Sequence, residues 1–191
     1  MNYLAHLYLS RHSEEMMVGG VLADFIKGNK IKNYKPEIIK GIGLHRKIDK
    51  FIDEHAVIEE SKKRLRKKFS HYTPVIIDIY CDHFLAINWK IYSEETLENF
   101  ALRSYKILKK HRFLFPLRFQ HALIYGRFKN LLLSYLTFKG INFAFQRLEG
   151  RTKFYSNLNK ATEELKRNYD LYQNEFKIFF EDIVGYLNTY K

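Results

Sequence analysis

The chain is short of the residues that break helices and cross-link chains. Cysteine occurs once, at Cys81, so an intramolecular disulfide and a cysteine-based zinc cluster are both excluded, and a reducing compartment fits. Three prolines and nine glycines serve 191 residues. Alternating apolar and polar residues bounded by turns are scarce, which argues against a sheet and for helix after helix. No segment approaches the ~20 apolar residues of a membrane helix. The opening MNYLAHLYLSRHSEEMM has a short apolar stretch interrupted by His6 and no basic start, so it is not expected to be a signal peptide. With no internal repeat and no low-complexity linker, the expectation is one all-α domain over residues 1–191, soluble and cytoplasmic, with no membrane partner.

Acidic residues are also in deficit. Lys and Arg number 33 against 21 Asp and Glu, a formal net charge of +12 and a pI near 9.6. Such a chain attracts polyanions: nucleic acid, anionic lipid or an acidic protein. A lysine-rich solvated surface is the plainer alternative. Hydrophobic residues make up 46%, with 14 Tyr and 16 Phe, enough for a sizeable core with some aromatics at its edge.

Helix signals punctuate the chain. Ser13 before Glu14 and Glu15 reads as an N-cap with an acidic first turn, opening a helix to Lys27 that Gly28-Asn29 ends. Pro36 suits the first turn of a helix reaching about Glu54. A basic helix follows from Ile58 to Phe69, then a long one from Thr73-Pro74 to about Tyr92. Ser93-Glu94-Glu95 caps another that ends near His111, and Pro116 opens one more. Residues 151–191 form one charged amphipathic helix or a helical pair.

Two segments carry ionisable groups where apolar ones belong. In PVIIDIYCDHFLAINW, residues 74–89, a turn of about 100° per residue puts Val75, Asp78, Asp82, Leu85 and Trp89 on one face of a helix apolar nearly all round. Two unpaired carboxylates there cost several kcal/mol, so a cation belongs beside them: a divalent metal or an arginine. His83 joins the same site only at a seam between helices. In GIGLHRKIDKFIDEH, residues 41–55, His45 and Asp49 stand at i and i+4 on a face shared with Ile52 and Ala56. Asp53 and His55 extend this polar set. An imidazole and a carboxylate one turn apart suit a divalent ion such as Mn, Fe, Mg or Zn. His6 in LAHLYL and Asp24 in VLADFI are further candidates. Singly, each has an ordinary reading: a satisfied core histidine for His6, a salt bridge to Arg46 or Arg64 for Asp24, a surface pair for His45 and Asp49. Together they are an expensive way to fill a core. No His-Glu-x-x-His helix, phosphate-binding glycine loop or nucleophile elbow is present.

These blocks, in order, resemble the acyl carrier protein phosphodiesterase family: MNYLAHLYLS, ADFIKGN, GIGLHRKIDKFIDEH, the Ser61-Lys62-Lys63-Arg64 stretch and DIYCDHFLAINW. The similarity covers about residues 1–90, weakens to about 130, and leaves residues 131–191 as C-terminal helices with little signal. The resemblance implies an HD-domain-like helical fold, divergent from the His-Asp metal phosphohydrolases. It also implies removal of 4′-phosphopantetheine from holo acyl carrier protein, with manganese preferred and Mg, Fe or Zn as alternatives. It places His6, Asp24, His45, Asp49, Asp78, Asp82 and His83 in the family's blocks. Ala23, Ile52, Ala56 and Cys81 depart from the family's usual residues, as does the stretch Phe69-Ser70-His71-Tyr72-Thr73-Pro74.

The expected roles follow. His45, Asp49 and Asp78, with His6, hold the metal. Asp24, Asp82 and His83 act as further ligands or in proton transfer. Arg46 or Arg64 contacts phosphate through charge-assisted hydrogen bonds. Lys63, Arg66 and Lys67, in a basic helix with Lys62 and Lys68, face an acidic carrier protein. Two rivals stay open: an HD-like phosphohydrolase of nucleotides or another small phosphodiester, and a basic nucleic-acid-binding protein, for which no recognisable motif is present.

Overall fold

The computed structural model describes residues 2–26, 30–150, 152 and 156–188, with backbone alone at positions 30 and 32. Its α-helices are α1 (Tyr3–Leu9), α2 (Glu14–Leu22), α3 (Pro36–Glu54), α4 (Ala56–Phe69), α5 (Thr73–Ile87), α6 (Trp89–Tyr92), α7 (Leu97–Lys110), α8 (Leu117–Ile124), α9 (Arg127–Ser134), α10 (Phe138–Glu149), α11 (Ala161–Arg167) and α12 (Tyr169–Asn188). Short 3-10 turns punctuate them, and no strand occurs among the described residues. The protein is all-α. No helix is long and apolar enough to cross a membrane among the described residues.

Most helix starts lie where the sequence signals put them. The Ser13 side chain accepts from the Met16 N–H and opens α2, and α3 spans Pro36–Glu54 as expected. Other boundaries differ. α2 ends at Leu22, and a 3-10 turn, Ala23–Phe25, follows. The expected stop at Gly28-Asn29 lies outside the described residues, as does Arg151. The helix expected from Val75 to Tyr92 stops at Ile87, and α6 restarts at Trp89, whose indole N–H donates to the Glu95 carbonyl at 2.7 Å. The cap of α7 is Thr96, which accepts from the Asn99 N–H, and not Ser93. Ala56 does not continue the Ile52 face; it is exposed and opens α4.

Contacts gather the chain into two compact units, each built from separate stretches. The first comprises Tyr3–Asp49 and Asn88–Leu133; the second comprises Met1–Asn2, Lys50–Ile87 and Ser134–Lys191. In the first, α2 packs on α1 and α7, and α8 packs on α7. α2 and α3 approach backbone to backbone. A Cβ on Gly19 would stand 2.2 Å from the Ile38 carbonyl oxygen, and one on Gly41 would stand 2.4 Å from that of Met16. In the second unit, α4, α5 and α12 pack together, with α10 and α11 alongside. Ile76, Ile79, Phe84, Phe176, Phe179 and Phe180 are buried there, and the Tyr80 hydroxyl donates to the Ala161 carbonyl at 2.6 Å.

The glycine contact generates a test. Gly41→Ala forces a methyl against the Met16 backbone, an overpacking that costs about 1–3 kcal/mol. The melting temperature should fall by about 2–4 °C per kcal/mol for a chain of this size. An unchanged melting curve would show that the two backbones are free to separate.

Candidate metal centre

Gly41, His45 and Asp49 recur at intervals of four and so form one stripe along α3. The glycine brings α3 against α2, and the next two positions carry the chemistry. His45 Nδ1 lies 2.7 Å from the Gly20 carbonyl, in the last turn of α2, where carbonyls run out of helical partners. That acceptor requires the proton on Nδ1, so the free edge of the ring is Nε2. Nε2 stands 2.9 Å from Asp49 Oδ2 and 3.5 Å from Asp24 Oδ1. Asp24 reaches it from the 3-10 turn that follows α2.

α1 supplies the remaining group. His6 sits among Leu4, Ala5 and Leu7, all fully buried, and its ring stacks on His45 with centroids 3.8 Å apart and planes 15° from parallel. Its Nε2 lies 3.1 Å from Asp49 Oδ1. That contact lacks hydrogen-bond geometry, and neither ring nitrogen has a hydrogen-bond partner among the described residues. A buried imidazole aimed at a carboxylate without bonding it has the geometry of two ligands around a common centre.

One ligand atom each from His6, His45 and Asp49 lies within 4.8 Å of the others. Atoms bound to one ion at about 2.1 Å are separated by about 3.0 Å at an octahedral right angle and about 3.4 Å at a tetrahedral angle. The observed contacts, 2.9 Å from His45 to Asp49 Oδ2 and 3.1 Å from His6 to Asp49 Oδ1, are near the first of these and fall to the two oxygens of one carboxylate. Two nitrogens and a carboxylate are donors that Mn, Fe and Zn accept. The residues therefore fit one divalent ion. The imidazoles form a buried floor, while the Asp49 and Asp24 side chains are 43% and 45% exposed, leaving the carboxylate side open.

The electrostatics agree with this. Burial holds the His6 pKa down to about 3, so its nitrogens carry lone pairs at neutral pH. Burial also disfavours charge on His45, but the Asp49 hydrogen bond and the Asp49 and Asp24 charges outweigh it and raise the pKa. Burial alone would raise Asp49; the His45 and His6 rings outweigh it and hold the carboxyl below the usual carboxylate range.

Asp78, Asp82 and His83 lie on α5 in the second unit, with Asp82 fully buried. Both His83 nitrogens are engaged: Nδ1 lies 2.7 Å from the Tyr135 carbonyl and must donate to it, and Nε2 lies 3.1 Å from the Tyr169 hydroxyl and accepts from it. Arg46 is exposed beside His45. Arg64 pairs with Glu175, to which the Ser61 hydroxyl also donates. Asp53 pairs with Lys62 at 2.8 Å, and His55 with Asp182 at 3.1 Å. On α4, Lys63 and Arg66 are paired with Glu60 and Glu59, and Lys68 with Glu164; Lys67 forms no ion pair among the described residues. The sequence reading overlooked the carbonyl that orients His45. The Gly19-Gly20 pair and the four-residue spacing from Gly41 to His45 were its visible signal.

A family model described as acyl carrier protein phosphodiesterase matches residues 1–183. The chain belongs to the acyl carrier protein phosphodiesterase family. Relatives that carry this name include the Yersinia enterocolitica protein, 29% identical over 94% of each chain, and the Serratia proteamaculans protein, 28% identical over 96% of each. The Photorhabdus laumondii protein is 26% identical over 88% of this chain and 86% of its own. No solved structure matches.

Two measurements follow. Manganese should raise the melting temperature of the wild type, because binding to the folded state alone stabilises it by mass action; the rise should disappear in His45→Gln and in His6→Gln. A full rise in both variants would exclude this triad as the ion's holder. Separately, burial lowers the His83 pKa below its ordinary value of 6.5. Below that value the unfolded chain binds a proton that the folded chain resists, so stability is lost as pH falls through it. The urea midpoint should drop between pH 7.5 and pH 5.5, and drop less in His83→Gln. Equal drops would show that His83 does not contribute.

Proposed function

We propose that the protein hydrolyses the phosphodiester that joins 4′-phosphopantetheine to holo acyl carrier protein. The observation that carries this reading is the convergence of His6, His45 and Asp49 on one point, in a chain that the family model matches over residues 1–183. The length of that match supports a single phosphodiesterase domain spanning residues 1–191. Manganese is the ion inferred for the site, and cytoplasmic fatty-acid metabolism the setting; one buried free thiol at Cys81 is consistent with a reducing compartment.

His6 and His45 through Nε2, and Asp49 through its carboxylate, would hold the metal. A divalent ion there supplies polarisation of a phosphoryl oxygen and a water acidic enough to be hydroxide near neutral pH. Gly20 fixes the His45 ring by accepting its Nδ1 proton. Asp24, half-exposed and 3.5 Å from His45 Nε2, would accept the proton of an attacking water at the mouth. Arg46, exposed on α3 next to His45, supplies a charge-assisted contact to the phosphoryl group. Roles for Asp78 as a ligand, and for Asp82 and His83 in proton transfer, rest on the resemblance alone.

The test is mass spectrometry of holo acyl carrier protein incubated with the protein and manganese. The carrier protein should lose the mass of phosphopantetheine. Chelation should abolish the loss, and Asp49→Ala should slow it by at least about 100-fold, since even outer partners of metal ligands are worth 10–100-fold. An unchanged carrier protein beside hydrolysed nucleotides would replace this reading with that of a small-molecule phosphohydrolase.

A further inference from the structure

Between Glu98 and Glu149 the chain contains no Asp or Glu but ten Lys and Arg, so most of the net charge of +12 arises in about a quarter of the sequence. Within the first unit this stretch includes α8, which is amphipathic in an unusual sense. Its inner side is anchored by buried Leu123, with Phe115 and Phe128 buried just outside its two ends. Its outer side carries large apolar residues in water: Leu117 is 73% exposed, Ile124 47% and Tyr125 70%, and Phe113, just before the helix, is 74% exposed. Arginines flank them. The Arg112 guanidinium lies over the Phe113 ring at 4.2 Å, and that of Arg127 near the Tyr125 ring at 5.7 Å. Arg118 is exposed between Leu117 and Ile124. Arg112, Arg118 and Arg127 form no ion pair among the described residues. Scattered exposed apolar residues are ordinary, but four in thirteen residues, ringed by unpaired arginines, have the composition of an interface core with a charged rim.

The inner side of α8 meets the segment that carries Asp24 within the same unit. Phe25, next to Asp24 in the chain, packs its ring on Phe115 and Phe119 with centroids 6.1 and 5.1 Å apart. Asp24 marks the open side of the cluster. The link runs through Phe115 and Phe119 at the inner side of α8, so a protein on its outer face sits across that one helix from the segment that bears Asp24.

We propose that the outer face of α8, from Phe113 to Arg127, is the docking surface for the acidic carrier protein; this rests on the functional reading above. Charge complementarity selects the partner, since a stretch of chain without acids, whose Arg112, Arg118 and Arg127 form no ion pair among the described residues, favours an acidic one and steers its approach. The large exposed apolar side chains among the arginines favour a protein over a nucleic acid. α4 is the weaker candidate, because its basic residues other than Lys67 already pair with carboxylates of the second unit.

The experiment uses the full chain with manganese and holo acyl carrier protein. Wild-type turnover is measured first, and its absence would sink the functional reading and this occupant together. Given turnover, Arg118→Glu combined with Arg127→Glu should raise KM for the carrier protein about tenfold and flatten its dependence on salt. The kcat and the manganese-induced rise in melting temperature should stay unchanged. Arg118→Gln and Leu117→Gln, each a single exposed change, should raise KM by smaller factors and guard against misfolding of the double variant. Unchanged KM in all three overturns the proposal, as does a fall in kcat without change in KM. Binding to phosphatidylglycerol vesicles that these variants lose, with KM for the carrier protein unaltered, would overturn it in favour of a lipid surface.

Discussion

The near-contact of two helix backbones underlies everything else in the first unit. Gly19 and Gly41 leave room for α2 and α3 to meet where any side chain would collide with a carbonyl. At that distance the Gly20 carbonyl comes within hydrogen-bond range of His45, one turn beyond Gly41. The bond satisfies an acceptor at a helix end and fixes an imidazole in one tautomer. A wider helix pair would leave both groups buried and unmatched, at a cost of about 1–3 kcal/mol for each unsatisfied group. The fold and the site thus depend on the same contact.

That orientation has an electrostatic consequence. With Nδ1 committed to Gly20, His45 Nε2 faces Asp49 and Asp24, and two carboxylates do not approach a lone pair without a cation between them. Either a proton on Nε2 or a metal ion meets the requirement, which is why the ring's pKa is raised although burial opposes its charge. His6 is the reverse case. Burial keeps it neutral, so it is ready to ligate without losing a proton. At the proposed centre one imidazole would ligate without losing a proton and the other would exchange one for the ion, which would tie metal affinity to pH. The half-exposed carboxylates keep this exchange accessible to solvent.

Much of this was legible in the sequence, and what was not has physical reasons. The bounds of α3 and the i, i+4 pairing of His45 with Asp49 follow from helical period and a proline start. The weight of His6 does not, because the stacking of α1 on α3 is a tertiary contact. α2 is shorter than its apolar run implied, since the chain tightens into a 3-10 turn that carries Asp24 toward His45. Ser93 and Thr96 are both cap residues, and only hydrogen bonding distinguishes them. α4 stands out in the sequence for its dense run of basic residues, yet acids three to seven positions away and on other helices answer those charges.

Charge density in a sequence and charge available at a surface are therefore different quantities. An exposed lysine paired with a glutamate still carries its charge, but its field at a distance is largely cancelled, and the pair itself contributes little to stability. An arginine resting on an aromatic ring keeps its full charge while its apolar side covers hydrophobic surface. The stretch from Arg112 to Arg127 is of the second kind, and it belongs to the same unit as a site whose open edge is two carboxylates. Without an ion, those carboxylates repel a phosphodiester that the surrounding arginines attract. With an ion in place, the edge and its surroundings agree in sign. On the proposed reading, capture of an acidic substrate would be coupled to occupancy of the metal centre through charge alone, with no conformational change required.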